Sequence, residues 1–232
     1  MKNVFVKTKN VKNFVTLMDK LQKLPPNIPK LALVYGEHGL GKTHSIMWWA
    51  VRNDAVYIRA NNEITQNGLL KGIVEELGER PFYQMQENYS LILKHLKQEP
   101  KIIIVDEAEY LPYKALELLR RIYDKANVGV LLVGMPKLLK NLRGEKGQYT
   151  QLYSRVGIVK ELNPLTKEDG LAIVSSVTPN TSIYPQISTY CGSNTRVLTK
   201  LLVRALRIAK LNDIEVNEDA INLSLSQLLW SK

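Results

Sequence analysis

The stretch Gly36-Glu37-His38-Gly39-Leu40-Gly41-Lys42-Thr43 follows the pattern G-x-x-x-x-G-K-[ST]. That pattern works only as the turn between a buried strand and a helix, so it dictates what must lie on either side. Both flanks comply. Leu31–Tyr35 is a short apolar run, and Ser45–Arg52 holds neither Pro nor Gly to stop a helix. Glycines let the backbone bend until successive N–H groups converge on phosphate oxygens, above the positive end of the helix dipole. Lys42 is suited to reach the β- and γ-phosphates as a point charge, and the Thr43 hydroxyl to coordinate Mg²⁺. The expected ligand is a nucleoside triphosphate, ATP. Its site is expected to comprise Gly36, Glu37, His38, Gly39, Leu40, Gly41, Lys42, Thr43 and the adjoining His44.

A second stretch, Lys101-Ile102-Ile103-Ile104-Val105-Asp106-Glu107, is an apolar run that ends in two carboxylates. An Asp-Glu pair can simply close a strand in a turn. Open α/β sheets, however, carry their working groups at the carboxyl ends of strands, and with the upstream loop the pair reads as the other half of a nucleotide site. Asp106 is expected in the Mg²⁺ shell with Thr43, and Glu107 is expected to orient and deprotonate the attacking water.

Around these motifs the pattern alternates. Residues 31–35, 55–59, 102–105, 129–134 and 158–162 read as strands, and 11–24, 45–52, 68–77, 89–98 and 114–125 as helices. This is the signature of an α/β fold with a parallel sheet flanked by helices. Asn163-Pro164 marks a boundary, beyond which the pattern is helical and Thr166-x-x-Asp169 is an imperfect capping box. Three segments are expected: an N-terminal extension and helix over 1–30 packing on the core, a nucleotide-binding domain over 31–163, and a small helical lid over 164–232.

Composition narrows the class. A single cysteine, Cys191, excludes a disulfide framework and a multi-cysteine zinc site. No apolar run approaches a membrane span and no signal peptide is legible, so a cytoplasmic protein without membrane contact is expected. The formal charge of +10 suggests an acidic partner such as nucleic acid, unless the lysines merely keep the chain in solution.

The succession of phosphate loop, Asp-Glu strand, Gly134-Met135-Pro136, Ser154-Arg155-Val156 and Gly192-x-x-x-Arg196 resembles an AAA+ ATPase. Within that superfamily, VKTKNVKNFVTLMDKL before LALVYGEHGLGKTH is similar to the transposition-regulator group of MuB, TnsC, TniB and IstB. The resemblance implies a P-loop AAA+ core and lid that assembles with ATP into rings or filaments on duplex DNA, without sequence preference, and stimulates a transposase. MuB has a further N-terminal DNA-binding domain, which a chain with 35 residues before its phosphate loop is expected to lack. Arg155 matches the arginine finger that completes a neighbouring subunit's site, and Arg196 matches the second sensor of the lid. Where many AAA+ enzymes carry a polar first sensor this chain has Gly134-Met135, which implies weak water positioning and slow hydrolysis.

The resemblance also implies that DNA is contacted by the zone 61–97, whose basic residues include Lys71, Arg80, Lys94 and Lys97. A second basic series is Lys137, Lys140, Arg143 and Lys146, interrupted by Glu145. Arg196, Lys200, Arg204 and Arg207 share one helical face, which either lines a phosphate surface or is the solvated side of an amphipathic helix. A replication helicase loader or initiator, a P-loop small-molecule kinase, and a nucleotide-gated module that scarcely hydrolyses all remain compatible with the loop alone.

Overall fold

The computed structural model describes residues 5–25, 28–144 and 150–226. Five strands, β1 (Leu31–Tyr35), β2 (Val56–Arg59), β3 (Ile103–Asp106), β4 (Val130–Gly134) and β5 (Val156–Glu161), form one sheet in the order β2-β3-β4-β1-β5. Every pairing is parallel. The reason lies in the apolar runs: Leu31–Val34, Ile103–Val105 and Val130–Val133 are buried without alternation, as strands covered on both faces must be. On the edge, β5 alternates between half-buried and exposed positions.

The helices that cross between these strands are α2 (Lys42–Asn53), α3 (Gln66–Glu76), α4 (Met85–Gln98), α5 (Tyr113–Ala126), α6 (Pro136–Arg143) and the short α7 (Thr150–Tyr153), preceded by α1 (Lys9–Lys23). Beyond the sheet come α8 (Lys167–Ser175), α9 (Tyr184–Cys191), α10 (Thr195–Leu211) and α11 (Glu218–Ser226).

The chain divides into two compact units. One contains residues 14–37 and 42–162 and holds the sheet. Its core joins Leu33, Ile58, Ile73, Ile92, Ile103 and Leu132 to neighbouring apolar side chains. The other contains residues 1–13, 38–41 and 163–232. In it α10 packs against α8, α9 and α11 around Leu198, Leu201, Leu202 and Ile187. The Thr166 side chain accepts the Asp169 N–H at 3.2 Å, so the capping box read from the sequence does cap α8.

Several elements differ from the sequence reading by a few residues, and α6 is added to it. β5 begins at Val156 rather than Ile158, because Val156 already pairs with Leu31 across a register irregularity. α4 begins at Met85 rather than Tyr89. The buried Asn88 in its first turn accepts the Phe82 N–H at 2.7 Å and donates to the Phe82 carbonyl at 3.0 Å, fixing the preceding loop against the helix. The basic series after β4 is a helix, α6, started by Pro136 at its first turn.

Leu33 has no exposed surface and lies between β4 and β5. Leu33→Ala is expected to lower the stability of this unit by about 2–5 kcal/mol, read as a shift in the urea midpoint.

Candidate active site

All five strands run the same way, so their carboxyl ends share one edge of the sheet, where open α/β folds hold ligands. β1 ends there at Tyr35, and the loop that follows is tied down at once by the Gly36 N–H donating to the Gly134 carbonyl at 3.2 Å. Gly39 and Gly41 take φ of 77° and 85°, in the left-handed region that costs other residues about 1–2 kcal/mol. The Lys42 ammonium donates to the Gly36 carbonyl at 2.5 Å and the Glu37 carbonyl at 2.8 Å, and lies 3.7 Å from the Met135 sulfur. It therefore lies within the curve of its own loop. His38–Gly41 cluster in the helical unit, where the Asn194 amide donates to the His38 carbonyl at 3.3 Å and Asn10 to Leu40 at 3.4 Å. His44 is exposed on the first turn of α2.

Asp106 closes β3 with only 1% of its surface exposed. Its carboxylate accepts the Thr43 hydroxyl at 2.7 Å, the Glu107 N–H at 2.9 Å and the Tyr57 hydroxyl at 3.4 Å. Burial first, and the Asp106 charge next, push the Tyr57 hydroxyl up to about 12, so it remains a donor across the neutral range. Tyr57 was not among the residues expected at the site. Thr43 and Asp106 offer adjacent hard oxygens, and among the described residues there is no cluster of three or more acidic, His or Cys ligands. That suits Mg²⁺, which takes one or two protein oxygens and completes its octahedron with phosphates and water.

Glu107 stands in the left-handed region, at φ 54° and ψ 35°, an unusual place for a residue with a Cβ. Its carboxylate pairs with the Arg59 guanidinium at 2.6 Å. Arg59 ends β2 in register with Asp106, which brings its side chain beside the residue that follows. The sequence reading had not included it.

The remaining expected residues lie on the surface. Arg155 is exposed in the turn between α7 and β5, and Arg196 is exposed in the first turn of α10, its N–H capped by the Asn194 side chain at 3.0 Å. Lys94, Lys97 and Arg80 are exposed, while Lys71 is half-buried with its amine 5.8 Å from the Tyr83 ring centre. On α6, Lys137, Lys140 and Arg143 are all exposed, and Arg143 lies over Tyr153 at 5.0 Å; Glu145 and Lys146 fall outside the described residues. On α10, Arg196, Lys200 and Arg207 are exposed and Arg204 is half-buried, opposite the buried Leu198, Leu201 and Leu202.

A phosphate loop, a hydroxyl–carboxylate pair and an Asp-Glu strand end on one parallel sheet are the marks of the P-loop AAA+ fold. Comparison with known proteins agrees: residues 29–142 match the family described as AAA domain. The chain is 32% identical over 152 residues to the Mu-like prophage FluMu DNA transposition protein B of Haemophilus influenzae, covering 63% of this chain and 53% of that protein. It therefore spans about half the length of that relative. It is 27% identical to the ATP-dependent target DNA activator B of Escherichia phage Mu, covering 97% of this chain and 73% of that protein. Among solved structures, the ORC2 protein of Aeropyrum pernix shares the fold at a TM-score of 0.78 and 16% identity, over 100% of this chain and 71% of that one. The chain is thus similar to the MuB group of AAA+ proteins. Among the described residues no helix is long and apolar enough to cross a membrane.

Because the Glu107 backbone is left-handed, Glu107→Gly is expected to be more stable than Glu107→Ala by about 1 kcal/mol. Both variants lose the pair with Arg59, so the difference in their denaturant midpoints isolates the backbone.

Proposed function

We propose that this chain binds ATP with Mg²⁺, assembles on duplex DNA without sequence preference, hydrolyses the nucleotide slowly, and delivers target DNA to a transposase. The observation that carries the reading is the 2.7 Å hydrogen bond between Thr43 and Asp106 beside the phosphate loop. The names of the phage and prophage relatives support the transposition role.

In this reading Lys42 and the loop N–H groups hold the phosphates. Thr43 and Asp106 hold Mg²⁺, which when bound neutralises charge on the β- and γ-phosphates. Glu107 takes the proton of the attacking water, whose oxygen bonds to the γ-phosphorus while the bond to the ADP oxygen breaks. Arg59 restrains this base, since the ion pair holds the Glu107 carboxylate to the end of β2. Arg155, exposed next to β5, serves a neighbouring subunit's nucleotide, and Arg196 serves as the lid's sensor of the γ-phosphate. DNA contacts come from Lys94, Lys97, Lys137, Lys140 and Arg143, with Lys71 and Arg80 at their margin. Such contacts go to phosphates, so affinity weakens steeply as salt rises.

Electron microscopy with a slowly hydrolysed ATP analogue, with and without random-sequence duplex DNA, tests the assembly. Rings or filaments that require both ligands are expected, lost in Lys42→Ala and retained on DNA with ordinary ATP in Glu107→Gln. Dispersed monomers under every condition sink the reading. Arg59→Ala is expected to raise phosphate release in the absence of DNA about three- to tenfold by freeing Glu107; unchanged or lower turnover shows that the ion pair does not restrain the base.

A further inference from the structure

The end of β4 is where the chain departs from the polar residue expected there: Gly134 is buried and Met135 follows. The space is not empty. A Cβ built on Gly134 would lie 2.2 Å from Oε2 of Glu109 and 3.0 Å from Leu138 Cδ2, so the glycine forms a notch into which a carboxylate from another element fits. That carboxylate accepts the Met135 N–H at 3.2 Å.

Glu109 reaches the notch from the 3₁₀ turn Ala108–Tyr110, directly after the Asp106-Glu107 pair. The turn is fixed at both ends. The Tyr110 N–H donates to the Glu107 carbonyl at 3.1 Å, and the Asn141 amide of α6 donates to the Glu109 carbonyl at 3.0 Å. The location is chemical ground, since Met135 also has its sulfur 3.7 Å from the Lys42 ammonium and Gly134 accepts the Gly36 N–H. Glu109 is half-buried, and among the described residues it has no ion-pair partner and Oε1 accepts no hydrogen bond. A half-buried carboxylate with one oxygen engaged by the backbone keeps the other free to accept from a water.

We infer that Glu109 is a positioning residue for hydrolysis, holding the attacking water through its open oxygen and thereby supplying from β3's end what β4 lacks. This rests on the proposed ATPase reaction. The water donates one O–H to Glu109 and, once Glu107 leaves its pair with Arg59 and turns back toward the phosphates, the other to Glu107. Only Glu107 takes a proton, as the water oxygen bonds to the γ-phosphorus and ADP departs. Glu109 keeps its charge throughout and returns to the same state after each turnover.

A structural role for Glu109 would be met by glutamine, whose oxygen can accept the Met135 N–H equally well. Its amide nitrogen cannot accept from water, which separates the two roles. The test measures phosphate release with ATP, Mg²⁺ and duplex DNA for wild type, Lys42→Ala, Glu109→Gln, Glu109→Ala, and Glu109→Ala combined with Gly134→Ser. Wild-type release above the Lys42→Ala control is read first, and its absence sinks the ATPase reading itself. Given turnover, Glu109→Gln is expected to lower kcat on the order of 10- to 100-fold while KM for ATP and the melting temperature stay put. A serine hydroxyl at 134, placed in the notch that Glu109→Ala vacates, is expected to make the double variant faster than Glu109→Ala. Either a kcat for Glu109→Gln within about twofold of wild type, or a double variant no faster than Glu109→Ala, overturns the inference.

Discussion

The hydrogen bond from Thr43 to Asp106 joins two strands that do not touch. β1 leads into the phosphate loop and β3 ends at Asp106, but β4 lies between them, so the 2.7 Å contact spans a strand's width at the carboxyl edge. An ionised carboxylate with 1% exposure is costly unless its oxygens are satisfied. Thr43, Tyr57 and the Glu107 N–H satisfy them, from α2, β2 and the chain's own next residue. Three elements are thereby fixed around one buried charge. The loop glycines can hold their left-handed geometry because the residues on either side of them are anchored.

The same anchoring explains how Glu107 sustains a backbone that most residues avoid. Asp106 is held in the sheet, where its carbonyl accepts the Ala60 N–H at 2.9 Å, and Ala108 is buried without exposed surface. Between two fixed neighbours the chain must turn within one residue, and the left-handed conformation does so. Strain of this kind collects at functional sites because the surroundings determine the geometry more strongly than the residue does. The turn sends Glu107 toward Arg59 and lets Glu109 go toward Gly134, so the carboxylates after Asp106 diverge to opposite neighbours of β3.

Much of this was legible from local spacing. The phosphate loop, the Asp-Glu strand end and the five apolar runs are contiguous signals, and the structure returns all five strands within a few residues. Tyr57, Arg59 and Glu109 were not legible, because their roles depend on register and on a turn. Arg59 meets Glu107 only because β2 and β3 pair in parallel with Arg59 opposite Asp106. The alternation Val56-Tyr57-Ile58-Arg59, with polar ends on one face of an otherwise buried strand, was the available signal. For Glu109 the signal was the glycine itself: where a polar side chain is expected and glycine stands, something else can enter the space.

Charge behaves differently, being legible in total and uneven in place. Lys71 and Arg80 stand among Glu75, Glu76, Glu79 and Glu87, so residues 71–87 carry two positive and four negative groups. Residues 88–98 add Lys94 and Lys97 without an acid, and residues 136–144 add Lys137, Lys140 and Arg143, again without one. A polyanion responds to the local field within about a Debye length, roughly 8 Å at physiological ionic strength, and not to the formal sum. Positive charge therefore concentrates on the end of α4 and on α6, while acidic groups outnumber basic ones from the end of α3 to the start of α4. The acidic stretch flanks the loop bearing Phe82 and Tyr83, both exposed, so the field around those aromatic rings disfavours a polyanion.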